Sequence, residues 1–98
     1  MPNSAQRIET LDDLRDYVSE TLCEHEQLEI NAFHMTELLL RRGSKCCGLY
    51  FCLHGPRETK FSAIWETENN TVFFYDSTGE RFLKTRLVAA PSLELVAA

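Results

Sequence analysis

Ninety-eight residues, 44% of them hydrophobic and 26% charged, are enough for one small domain with its own core and argue against a disordered chain. No apolar run reaches the ~18 residues of a membrane span, and the polar start MPNSAQRIET lacks the basic and apolar parts of a secretory signal. A cytoplasmic location is therefore expected, with Cys23, Cys46, Cys47 and Cys52 as reduced thiols.

The net charge of −5 is unevenly spread: residues 1–40 carry a net −7 and residues 41–98 a net +2. That division predicts an acidic helical part beside a mildly basic sheet, a matter of solubility and association more than of fold.

Residues 1–9 hold few anchoring side chains and read as a flexible lead-in. Thr10 then has the character of a helix N-cap, with Asp13 in the partner position of a capping box. Leu11, Leu14, Val18 and Leu22 follow at spacings of three and four, so they share one helical face. Asp12, Asp13 and Asp16 lie in the first turns, where the helix dipole favours negative charge. The pattern predicts a long helix over residues 11–25. EHEQLEIN, residues 24–31, is ambiguous. AFHMTELLLRR, residues 32–42, is expected to form a shorter second helix, capped by Asn31 and ended by Gly43; a strand through Phe33–Leu40 competes with it.

From Cys46 to Val88 the period changes to two. Cys47, Leu49, Phe51 and Leu53 form one face of a strand, and Cys46, Gly48, Tyr50, Cys52 and His54 the other. Gly55-Pro56 breaks it. Residues 59–66 form a second strand with Phe61, Ala63 and Trp65 inward and Lys60, Ser62, Ile64 and Glu66 outward. Asn69-Asn70 and Asp76-Ser77-Thr78-Gly79 have hairpin-turn composition. They bracket a third strand over 71–76 and lead to a fourth over 81–88. In the fourth, Leu83 and Leu87 are expected on one side, and Phe82, Lys84 and Arg86 on the other. Pro91 stops the strand, and residues 89–98 read as a flexible tail. Its apolar end, Leu95-Val96-Ala97-Ala98, has the character of an address for proteolytic machines. The expected fold is α+β: a four-stranded antiparallel meander over residues 10–88, one face covered by the long N-terminal helix and the shorter second one.

No catalytic or cofactor motif emerges, and no cofactor is expected. Cys46, Cys52 and His54 are weak metal or reactive-thiol candidates, because their spacing is not that of a zinc site. Cys23, His25 or His34 would have to complete the set. The turn His54–Glu58 presents His54 and Arg57 together and could hold an anionic group. Tyr50, Lys60, Lys84 and Arg86, with Ser62, Ile64 and either Phe73 and Tyr75 or Val72 and Phe74, are expected on the open sheet face. Aromatics among bases suit stacked, single-stranded nucleic acid, although the net charge is negative. An exposed face with apolar residues more often meets a protein, commonly a second copy. Asp76-Ser77-Thr78-Gly79 resembles an aspartic-protease string but reads as a turn. Arg42-Gly43-Ser44-Lys45 lacks the spacing of a phosphate-binding loop.

The stretch CGLYFCLHGPRETKFSAIWETENNTVFFYDSTGERF resembles small uncharacterised proteins of planctomycete-type bacteria. The likeness spans residues 47–87 and is carried by HGPR, AIWE and YDSTGER. It implies a bacterial, cytoplasmic protein and attaches no activity. The expected function is a non-catalytic interaction or regulatory module, self-associating through the open sheet face, with the metal or thiol site and nucleic-acid binding as alternatives.

Overall fold

The computed structural model describes residues 3–89. It contains one α-helix, α1 (Leu11–Glu26), and six strands: β1 (Asn3–Gln6), β2 (Met35–Arg42), β3 (Lys45–His54), β4 (Lys60–Glu66), β5 (Thr71–Tyr75) and β6 (Arg81–Leu87). The strands form one mixed sheet in the order β1-β6-β5-β4-β3-β2. All neighbours are antiparallel except β1, which runs parallel to β6. The class is α+β, but the four-stranded meander with two helices is corrected to six strands and a single helix.

The helix starts as its sequence dictates. The Thr10 hydroxyl accepts from the Asp13 amide at 3.0 Å, and the Asp13 carboxylate accepts from the Thr10 amide at 3.3 Å. This reciprocal capping box satisfies two amides that would otherwise lack partners. Leu14, Val18, Leu22 and Cys23 are buried beneath it. The helix ends at Gln27, which takes the left-handed conformation.

Residues 35–42, expected to be helical, form β2. The run Leu38-Leu39-Leu40 suits a strand with apolar residues on both faces, and strand pairing outweighs the helical propensity of the segment. Gly43 and Ser44 alone separate β2 from β3, so the two pair as a tight hairpin. Gly43 is left-handed here as it would have been at a helix end (φ +64°), but it turns a hairpin. Asn3–Gln6, within the segment read as a lead-in, form β1, and the Val88 amide donates to Gln6. The polar sequence NSAQ carries no period that would announce a strand; Ile8, just after it, is buried and anchors the segment.

The core lies between α1 and one face of the sheet. Leu49, Phe51 and Leu53 of β3, Phe61, Ala63 and Trp65 of β4, and Val72 and Phe74 of β5 are all buried there, as alternation predicts. The open choice for β5 is thereby settled: Val72 and Phe74 face the helix, Phe73 and Tyr75 face away. Two register shifts interrupt the alternation. One leaves Cys47 of β3 without an opposite residue on β2. The other, between Phe74 and Tyr75, gives β6 the extra residue Phe82. Phe82 was expected beside Lys84 and Arg86; instead it stacks on His25 of α1 at 3.6 Å between ring centroids. The bulge explains the correction, since an added residue inverts the side on which the strand's earlier residues fall.

Two polar links close the core. The Trp65 indole donates to the Asn70 side-chain oxygen at 2.9 Å, and the Asn70 amide nitrogen donates to the carbonyls of Leu87 and Ala89. Tyr17 and the fully buried Thr85 share a 2.8 Å hydroxyl–hydroxyl bond. The tail reading for residues 90–98, with its address sequence, lies outside the described residues.

Candidate functional site: the open face of the sheet

One helix covers one face of the sheet; the other face is built from the alternate residues of the same strands. Register places them in rows. Leu38, Tyr50, Ile64, Phe73 and Lys84 lie opposite one another in sequence from β2 to β6. Thr36, Cys52, Ser62 and Tyr75 form the row on one side. Leu40, Gly48, Glu66, Thr71 and Arg86 form the row on the other. Tyr50, Ile64, Phe73 and Tyr75 are half-buried, whereas Leu38 is 61% exposed.

The face is graded. Its central row is apolar or aromatic from β2 to β5, and its β6 side carries Arg81, Lys84 and Arg86, all exposed. Phe73 sits at the boundary. The Arg81 guanidinium lies 5.1 Å from its ring centroid and the Lys84 ammonium 5.8 Å, distances at which a cation is attracted to the ring face. At the opposite corner, a groove of about 380 Å³ opens where β3 is bulged, lined among others by Leu40, Cys47, Ile64 and Glu66.

Of the residues singled out from the sequence, Tyr50 and Lys84 share the central row and Arg86 the neighbouring one. His54 and Lys60 pair at the far end of β3 and β4. There the Nε2 of His54 is 3.1 Å from the Thr36 hydroxyl, and its ring stacks at 5.9 Å on that of His34. Arg57 lies outside these rows, in the 3-10 turn Pro56–Glu58, exposed and left-handed at φ +55°.

The cysteines do not converge. Cys46 and Cys52 are separated by about 20 Å of extended strand. Cys52, though on the open face, is only 6% exposed beneath its neighbours. Cys23 lies in the core, where burial pushes its thiol up, against a smaller opposing effect of the Ser19 hydrogen bond. His25 is held on the helix side by Phe82. Among the described residues no group of three or more His, Cys, Asp or Glu side chains is arranged to hold a metal ion. Asp76-Ser77-Thr78-Gly79 is a turn: the Asp76 carboxylate accepts from the Thr78 hydroxyl and from the amides of Thr78 and Glu80. Those bonds, the hydroxyl's first, hold its carboxyl below the usual range.

Leu38, Leu40 and Arg81 were missed as members of the face. The two leucines were hidden by the helical reading of 32–42, and Gly43-Ser44, a two-residue turn pair between the basic residues Arg42 and Lys45, was the signal that could have found them. No protein-family model, curated protein or solved structure matches the chain. No helix among the described residues is long and apolar enough to cross a membrane.

Proposed function

We propose that the chain is a non-catalytic interaction or regulatory module of the bacterial cytoplasm, and that its working surface is the open sheet face. The observation that carries this reading is the row Leu38–Tyr50–Ile64–Phe73–Lys84. Four large apolar or aromatic side chains cross the side of the sheet that no helix among the described residues covers, outside the core, and the row ends in a base. A contiguous apolar patch rimmed by charge is the composition of a protein-binding surface. The occupant that suits it is a protein presenting an apolar patch flanked by carboxylates, which would meet Arg81, Lys84 and Arg86.

A photo-crosslinking residue placed at Ile64 tests this in cells that express the chain. It is expected to give protein adducts absent when the same residue replaces the exposed Glu20 on the helix. Identical adducts from both positions, none from either, or adducts to nucleic acid at Ile64 would each reject the reading.

A further inference from the structure

We infer that the β2 edge pairs with β2 of a second copy, in one register, to make a symmetric dimer with a continuous sheet. The inference stands apart from the open-face reading, because it uses the strand's edge and not its face.

The sheet has two edges. β1 is four residues long; β2 is eight and carries neither proline nor lysine, two usual guards of an exposed edge. The nearby bulge does not blunt it either, since the extra residue, Cys47, belongs to β3.

Backbone bonding shows which groups β2 offers. The His54 amide donates to the His34 carbonyl at 2.8 Å, which makes residues 34 and 54 a hydrogen-bonded pair. By antiparallel alternation Thr36, Leu38 and Leu40 then bond to β3. The amides and carbonyls of Glu37, Leu39 and, beyond the bulge, Arg41 point away from the sheet, ready for a further strand.

The side chains select the register. Antiparallel pairing of two β2 strands about Leu39 places Glu37 opposite Arg41 of the partner copy, twice, on the helix side. It sets Leu38 against the partner copy's Leu40, also twice, on the open side. The adjacent symmetric registers place Glu37 opposite Leu39 or Gly43 instead and lose both charge pairs. Arg41 has no ion-pair partner among the described residues, whereas Glu37 is anchored by Arg15. Leu38, 61% exposed in the single chain, gains an apolar neighbour in the dimer. Opposed charges and apolar pairs across strands are the units that stabilise sheets, and a two-fold axis makes each contact occur twice.

The contact is short, so the dimer is weak and forms at high protein concentration, on the order of hundreds of micromolar. Sedimentation across a dilution series of the full chain is expected to show monomer passing to dimer. Glu37→Arg and Arg41→Glu each set like charges opposite one another and should weaken self-association roughly tenfold. An equimolar mixture of the two should recover it, because the mixed dimer restores both opposed pairs. Arg41→Glu leaves the Arg15–Glu37 ion pair in place, so its effect is not one of folding. In the unaltered chain, exchange of the Glu37, Leu39 and Arg41 amides should slow as concentration rises, while that of Thr36 and Leu38 should not change. A monomer at every concentration, a mixture no more associated than its components, or a dimer that leaves the outward amides unprotected would overturn the inference. The last result, with an Ile64 adduct to a second copy, would point to association through the open face instead.

Discussion

The two faces of the sheet are made from the same strands, yet they carry different obligations. On the helix side Leu49, Phe51, Ala63, Trp65, Val72 and Phe74 are at most 1% exposed. On the open side Tyr50, Ile64, Phe73 and Tyr75 remain half-buried, and the charged groups of Arg81 and Lys84 lie over the Phe73 ring. A fold of this size requires one dry face. The second face is under no such requirement, and its large side chains therefore call for a reason other than stability.

Substitutions can break that contrast or sharpen it. The largest effect is expected from Trp65→Ala, about 3–5 kcal/mol in chemical denaturation, because it opens a cavity in the core. An unchanged midpoint would sink the division of faces. Asn70→Ala should follow, at about 1–3 kcal/mol, since it strands the partly buried Trp65 indole donor and frees the carbonyls of Leu87 and Ala89. Phe73→Ala, on the open face, should cost about 1 kcal/mol or less despite removing an aromatic ring, because the site is already in contact with water. A cost equal to that of Trp65→Ala would erase the distinction.

The smallest expected effect is that of acid on the Asp76 turn. Its carboxyl titrates lower when folded than when unfolded. The turn's contribution is thus complete above the ordinary aspartate value of about 3.9 and is lost only as pH falls through the lower folded one. Asp76→Asn should remove that acid-side dependence and cost a small amount of stability near neutral pH, where the contribution is complete, so that the two proteins converge only in acid.

Much of the helix-side face was legible because local and global signals agree there. The Thr10–Asp13 box marked the helix start, and alternation through Cys47–Leu53 and Thr59–Glu66 assigned Leu49, Phe51, Phe61 and Trp65 inward. Where they disagreed, the reading failed. In β2, leucines on both faces mimic a broad helical stripe, and only pairing with β3 decides between the two. In β1, NSAQ has no apolar period, so the strand rests on backbone pairing with β6 and on the buried Ile8 that follows it. Phe82 was misassigned because a bulge has no sequence signature of its own. The candidate site followed the same rule: Tyr50, Lys84 and Arg86 were found by alternation, while Leu38 and Leu40 were lost with β2.

The bond from Trp65 to Asn70 has a practical side. The chain has one tryptophan, and through Asn70 its indole is wired to the backbone where β6 ends. Its fluorescence is therefore a native optical gauge of whether the last strand is seated. Anything that peels β6 from β5, such as a pull on the chain beyond it, would register as a change in emission before the rest of the sheet comes apart.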